Sequence, residues 1–373
     1  MAVPVALAAA LVCLYLIWQY RNLRNWSVVE PPLAGTGHLP SVAVIVPFRN
    51  EATCLPELLE SLYRQDYDGP MEILLVDDHS TDGGGPATVP AGIRLRTLRL
   101  ADHPAYLTGP AHKKAALRLG IDRTDMDVIV TTDADCVWPP GGLTAVGRRI
   151  AAGADVVLGN VFVAPVHDLC SAYQALDLAG YQLLTRASVI ADTPTLANGA
   201  NFAFRRRAFG EVDGYRGVDH LPSGDDVLLL HKFVADGGYV IRHADDAGAY
   251  VVTRPVTGWR ALWKQRLRWA GKAGDYANPA LIFAQVLAFA VSLTIVAGVF
   301  LSPFDPRFGA IGLAVWLGKA GVDYYLLRGI CLRHGQWQLL RYYPIVQLIY
   351  PFFLVAVGAA ALAGCKADWK GRA

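Results

Sequence analysis

Val128-Ile129-Val130-Thr131-Thr132-Asp133-Ala134-Asp135 is the stretch on which the fold is decided. Its first five residues are all β-branched, which suits a strand buried on both faces of a sheet. Two carboxylates follow at once. In an open parallel sheet, ligands bind beyond the carboxyl ends of the strands, so Asp133 and Asp135 fall on a binding rim. A D-x-D alone carries little weight in a chain of 373 residues. Its place behind a buried strand gives it meaning.

Outward from that strand the pattern repeats. Ser41–Pro47 and Met71–Val76 read as further buried strands. Between them Leu55, Leu58, Leu59 and Leu62 recur at helical spacing within 52–64. A third strand is expected near Ile93–Leu100 after a Gly83-Gly84-Gly85 loop, then a helix near Ala111–Leu119. Downstream, a strand near Asp155–Val163 precedes a long helix near Leu169–Val189. Strand and helix alternating at this spacing predict an α/β fold with a parallel, doubly wound sheet.

Three of these strands end in polar clusters: Arg49-Asn50-Glu51, Asp77-Asp78 and Asp133-Ala134-Asp135. Carboxylates gathered at one rim repel each other and any anionic ligand unless a divalent cation sits among them. Mg2+ or Mn2+, hard ions that prefer oxygen ligands and bridge to a diphosphate, resolve both conflicts. Asp225-Asp226 opens a later helical stretch, where simple N-capping explains a carboxylate pair equally well. Lys113 and Lys114 precede the D-x-D strand and read either as solvated helix-start lysines or as phosphate contacts. His79, His220 and His231 read as surface or loop histidines without metal spacing, and Cys136 as a small buried residue.

Lys+Arg 34 against Asp+Glu 32 gives a net charge of +2, which excludes a basic nucleic-acid binder. Six cysteines stand singly with no C-x-x-C, against a disulfide scaffold or zinc site. The hydrophobic share of 53% against 18% charged is too apolar for an ordinary soluble chain. Residues 1–24 read as an uncleaved transmembrane anchor: the first twenty carry no charge, and Arg21 and Arg24 follow. After a catalytic domain over 40–255, residues 256–275 form an amphipathic interface helix, with Trp259–Trp269 rich in cations and aromatics. About three membrane helices are expected over 276–365, near Tyr276–Phe304, Phe308–Leu327 and Tyr342–Cys365, then a basic tail over 366–373. Lys319 and Asp323, four apart on one helical face, either pair inside the membrane or sit at its interface. The positive-inside rule places the catalytic domain on the cytoplasmic side, as an integral inner-membrane protein. Lys366, Lys370 and Arg372 conflict with a four-span count, which leaves a re-entrant last segment or a different count open.

Taken in order, Pro47 to Glu51 (P-x-x-N-E), Asp77-Asp78-x-Ser80-x-Asp82, Asp133-x-Asp135, Asp225-Asp226-x-x-Leu229 and Gln265-x-x-Arg268-Trp269 resemble the membrane-bound inverting glycosyltransferases of family 2. The resemblance covers about residues 40–270. It implies a GT-A nucleotide-diphospho-sugar-binding domain between N-terminal and C-terminal transmembrane helices, as in the processive and ceramide-glucosyltransferase-like branch. Carried over, Pro47, Glu51 and one or both of Asp77 and Asp78 hold uracil and ribose. Asp133 contacts ribose and the metal-bound diphosphate, and Asp135 is the metal ligand. Asp226, with Asp225 beside it, is the general base. Lys113 matches a lysine many relatives carry, and Gln265, Arg268 and Trp269 close over donor and acceptor. Asn198 and Asn201 lie in the acceptor-side segment. The family often has Glu-Asp where this chain has Asp225-Asp226, which leaves open which of the two is nearest the acceptor. The implied reaction moves a sugar from a nucleotide-sugar donor, UDP-linked, to a lipid or glycan acceptor at the membrane, with Mg2+ or Mn2+. A processive polysaccharide synthase and a catalytically silent nucleotide-sugar-binding scaffold are the alternatives.

Overall fold

The computed structural model describes residues 2–29, 37–83, 94–107 and 109–365. Gly84, Gly85, Ile93 and the basic tail 366–373 lie outside the described residues. In chain order the elements begin with α1 (Ala2–Trp26), β1 (Val42–Phe48), α2 (Leu55–Tyr63), β2 (Met71–Asp77), β3 (Arg94–Arg99) and α3 (His112–Asp122). β4 (Val128–Thr131), β5 (Cys136–Val137), α4 (Gly142–Ala151), β6 (Val156–Gly159), β7 (Val161–Val163) and α5 (Leu169–Ile190) follow. Then come β8 (Phe202–Arg205), α6 (Arg206–Glu211), α7 (Val227–Asp236), β9 (Ile241–Ala244) and β10 (Val251–Thr253). The chain closes with α8 (Gly258–Ala270), α9 (Pro279–Leu301), α10 (Pro306–Arg333) and α11 (Tyr343–Leu362). These elements form two compact units, one of residues 29–164 and 192–254, the other of 1–28, 165–191 and 255–373.

The first unit is built on a seven-stranded sheet in the order β3-β2-β1-β4-β8-β6-β9. Every residue of β1 and β4 is buried, as their unbroken β-branched and aliphatic runs require. Each fully buried Val, Ile or Leu contributes roughly 1.5–3 kcal/mol, which makes these strands the core of the unit. Registers Phe48↔Asp77 in β1–β2 and Ile45↔Thr131 in β1–β4 bring the strand ends level. The acidic clusters after β1, β2 and β4 therefore share one rim. The sheet departs from an all-parallel one at β8, which is antiparallel to both β4 and β6. Because Thr131 pairs with Phe202, the start of β8 and residues 198–201 before it lie at the same rim as the end of β4. β5, β10 and β7 make a second, three-stranded sheet directly after the D-x-D.

The second unit is helical. Among the described residues, three helices are long and apolar enough to cross a membrane: Val3–Trp26, Pro279–Leu301 and Trp337–Leu362. α10, expected as a further span, is a 28-residue helix but carries Lys319 and Asp323 and is not among the three. α11 runs unbroken through two prolines. Pro344 occupies the first turn of α11, where no amide donor is needed, and Pro351 lies within the helix. α9 and α10 cross at Gly298 and Gly312, where a Cβ on Gly298 would stand 2.7 Å from the Gly312 Cα.

Lys319 and Asp323 pair in the bundle, at 3% and 8% exposure. The Asp323 carboxylate also accepts from Tyr15 Oη (2.6 Å) and Gln19 Nε2 (3.0 Å) of α1, and from Gln347 Nε2 (3.2 Å) of α11. The expectation of one uninterrupted catalytic stretch over 40–255 differs at α5, which packs with α1, α8, α10 and α11 in the helical unit. Within that unit a buried ion pair joins Asp177 of α5 to Arg266 of α8 (2.8 Å).

Candidate active site

The site residues of the sheet unit are carried by loops that leave its rim. After β2, Asp77 Oδ1 accepts from the Ser80 amide (2.9 Å), while Asp78, 2% exposed, donates its own amide to Phe48 O (2.8 Å). Asp82 Oδ2 accepts from the Ala52 amide (2.9 Å) and Asn50 Oδ1 from the Thr81 amide (2.8 Å). The acidic loop after β2 is thereby cross-linked to the loop after β1 that carries Glu51. Asn50 (φ 54°) and His79 (φ 59°) both hold left-handed backbone, which for these residue types marks a position under constraint. Pro47 is buried at the end of β1, where its missing amide costs the ladder little.

Helix α3 supplies contacts that sequence reading undervalues. His112 Nδ1 lies 3.1 Å from Asp78 Oδ1, and His79 Nδ1 lies 2.9 Å from the same oxygen. Asp78, His79 and His112 thus form a group that could hold a metal ion, so His79 is no plain loop histidine. Lys113 Nζ pairs with Asp133 Oδ1 (2.8 Å) and with Asp225 Oδ2 (3.1 Å). Lys114, 2% exposed, donates to Val218 O (2.6 Å) and Leu221 O (2.9 Å), fixing the loop before Asp225. The solvated reading of both lysines is corrected: three successive residues of one helical turn point in different directions, each meeting a different part of the rim. The signals in the sequence were a lysine pair beside acid-bearing loops and, for Lys113, the family resemblance.

Burial alone would lower the Lys113 ammonium, but Asp133, then Asp225 and Asp226, hold its pKa well above the usual lysine value. Asp135 is the opposite case. Burial, then the charges of Asp133 and Glu51, push its carboxyl up to about 6. Thr253 Oγ1, at the end of β10, lies 3.4 Å from Asp135 Oδ2. Next to it, Arg254 pairs with Glu57, beside Cys54.

Asp225 is 7% exposed. Asp226 is the N-cap of α7: Oδ1 accepts from the Val227 amide (2.7 Å), as the capping reading expects, and Oδ2 accepts from the Gly199 amide (3.0 Å). Gly199 stands at this crossing because a Cβ there would meet Asp225 Oδ2 at 3.0 Å and Lys113 Nζ at 3.5 Å. Asn198 Oδ1 caps the short turn before β8 by accepting from Ala200 N (3.0 Å). Asn201, expected on the acceptor side, is instead turned into the fold at 2% exposure, donating to Asn160 O (3.0 Å). His231 is likewise buried, with Nε2 3.0 Å from Thr195 O, whereas His220 is exposed as expected. Cys136 is buried at 1% exposure.

Gln265, Arg268 and Trp269 are all on α8, in the helical unit. Arg266 of the same helix donates to Gln265 Oε1 (2.6 Å) and lies 4.2 Å over the Trp269 ring.

A family model described as "Glycosyl transferase family 2" matches residues 43–212, and one described as "Glycosyl transferase family group 2" matches residues 128–362. An N-acetylglucosaminyltransferase of Sinorhizobium fredii is 30% identical over 164 residues, 41% of this chain and 37% of that protein. An undecaprenyl-phosphate 4-deoxy-4-formamido-L-arabinose transferase of Pseudomonas syringae is 32% identical over 121 residues, 31% of this chain and 34% of that protein. The chain thus spans about a third of the length of these curated relatives. A mannosyltransferase from Pyrobaculum calidifontis, solved in complex with GDP-Man and Mn2+, aligns over 98% of this chain and 99% of its own at a TM-score of 0.62 and 23% identity, which establishes the shared GT-A fold. With the matched models covering the sheet unit and running on through the apolar helices, the chain belongs to the family 2 glycosyltransferases, in a membrane-bound form.

Proposed function

We propose that this enzyme transfers a sugar from a nucleotide-diphospho-sugar to a hydroxyl of a membrane lipid, by single displacement with inversion, from the cytoplasmic face of the inner membrane. One observation carries the reading: Lys113 joins Asp133, behind β4, to Asp225, at the head of α7, so the D-x-D and the Asp-Asp pair meet in one place. The carboxylates Asp133 and Asp135, with Glu51 near enough to raise the Asp135 carboxyl, are an all-oxygen donor set that fits Mg2+ or Mn2+. The Mn2+ held by the Pyrobaculum neighbour supports the same reading. Such an ion, when bound, supplies positive charge to the departing diphosphate.

The chain's own residues do the rest. Asp78, gripped by two histidines, accepts from the donor's base, while Asp77 and Glu51 border the ribose. Lys113 gives the diphosphate an ammonium, and Asp133 and Asp135 would hold the ion. Asp226 takes the proton of the acceptor hydroxyl as that oxygen attacks the anomeric carbon, and attack opposite the leaving group inverts the centre. One base is enough, because no glycosyl-enzyme intermediate has to form. The donor is a UDP-sugar by the family resemblance, and GDP-mannose is the competing donor, favoured by the Pyrobaculum complex. The undecaprenyl-phosphate relative supports a lipid acceptor over a growing polymer.

The test is nucleotide release from a panel of UDP- and GDP-sugars by membranes carrying the full chain, with Mn2+ or with EDTA. Release of UDP or GDP from one donor, lost in EDTA and in Asp135→Ala, is expected. No release from any donor, with lipid extract added, overturns the enzymatic reading.

A further inference from the structure

We propose that Lys113 is a resident counter-ion that makes the divalent ion and the nucleotide diphosphate bind as a pair, by holding Asp133 against a metal that arrives alone. This rests on the proposed function and adds to it a reason for the order of events. The ammonium is 2.8 Å from Asp133 Oδ1 and 3.1 Å from Asp225 Oδ2, so one positive charge serves two carboxylates from different loops. Asp226 adds a third negative charge nearby.

The lysine is well placed to stay there. Its neighbours on the same turn, His112 and Lys114, are fastened to Asp78 and to the Val218 and Leu221 carbonyls. The backbone of that turn is thus tied on both sides.

A divalent ion approaching Asp133 alone must displace this ammonium or sit against it, and like charges at such a distance oppose binding strongly in a half-buried site. A diphosphate changes the balance, because its oxygens accept the ammonium and leave Asp133 to the ion. Metal and diphosphate therefore each improve the other's binding, a reciprocal coupling between two ligands. Asp225 is released in the same movement, which links donor arrival to the carboxylate pair that meets the acceptor.

The experiment measures Mn2+ binding to the detergent-solubilised full chain, by the loss of the free-ion paramagnetic resonance signal, without nucleotide and with saturating UDP or GDP. The wild type is expected to bind Mn2+ weakly alone and about tenfold or more tightly with the nucleotide. In Lys113→Met, Mn2+ alone should bind about tenfold more tightly, and most of the nucleotide's enhancement should vanish. Lys113→Arg, which keeps the charge, should retain the wild-type pattern. Lys113→Gln is measured beside the Met variant, so that a folding failure in one leaves the other to decide. Unchanged or weaker binding of Mn2+ alone in the neutral variants overturns the counter-ion while leaving the glycosyltransferase site standing. A wild-type chain that binds neither UDP nor GDP with Mn2+ overturns both.

Discussion

Asp226 is asked to be both a helix cap and a base, and Asp226→Asn and Asp226→Ser separate the two roles. The Asn amide keeps one oxygen, enough for either Val227 N–H or Gly199 N–H, and turns its NH2 toward the other donor. Losing one hydrogen bond and facing donor to donor costs about 1–3 kcal/mol. Removing the negative charge from the first turn of α7 adds about 0.3–1 kcal/mol. Ser caps helices about as well as Asn and also gives up one of the two amides, but its rotatable hydroxyl avoids the donor-to-donor contact, so its cost is smaller. Neither side chain is a base, and removing a general base lowers turnover by about 10²–10⁴-fold, or roughly 2.7–5.4 kcal/mol in the barrier. Stability and activity should therefore come apart. Thermal unfolding of the solubilised chain should place Ser above Asn, while donor turnover by the folded fraction falls by at least about a hundredfold in both. Turnover in Asp226→Ser within tenfold of wild type, or activities that track melting temperature across the pair, would refute the base assignment.

Three further outcomes are expected. Gly199→Ala puts a methyl 3.0 Å from Asp225 Oδ2, so Asp225 and Lys113 must shift together. Nucleotide release should fall by about tenfold or more while the melting curve stays close to wild type, because the strain falls on site side chains rather than on the core. Asp323→Leu leaves Lys319 charged and buried, which should destabilise the helical unit by about 3–5 kcal/mol, and Lys319→Met in the same chain should recover most of it. Melting temperatures of the two single variants and the double variant in detergent decide this, and a double variant no better than Asp323→Leu counts against the ion pair. His231 is the acid-sensitive group of the sheet unit: burial lowers its pKa, so unfolding lets it take up a proton. Its contribution is complete above the unfolded value of about 6.5 and is lost as pH falls toward its lower folded value. His231→Gln should flatten the acid side of a melting-temperature profile below about pH 6.5, and an unchanged slope would show that other groups control it.

The strands were legible because their apolar, β-branched runs can be satisfied only inside a sheet. The acids behind them were legible because charge at strand ends requires a reason. What stayed hidden depends on one antiparallel strand. β8 enters between β4 and β6 against the direction of β4, and its sequence, Phe202-Ala203-Phe204-Arg205, carries no mark of direction. Yet that direction delivers Gly199 to the rim and lets its amide meet Asp226. Asn201, the last residue of the short turn before β8, is carried with it toward Asn160 and the interior. The lysines of α3 were undervalued because two adjacent cations at a helix start usually face water. Here the turn that holds them lies under the loops, and Lys114 is consumed by backbone carbonyls 104 and 107 residues away. No local pattern encodes such a contact.

The geometry around Asp226 also bears on what the enzyme glycosylates. An alcohol must lose its proton as it attacks, so a carboxylate beside it is indispensable. A lipid phosphate is already ionised at neutral pH and needs no base; a second carboxylate near its path would oppose it by like-charge repulsion. The neighbourhood of α7 carries Asp225 and Asp226 together, with the single ammonium of Lys113 shared between Asp225 and Asp133. That balance is poor for an anionic acceptor and good for a neutral one, because an alcohol brings no charge and gains a base. On the proposed function, the acid pair is thus an argument for a lipid hydroxyl as the acceptor.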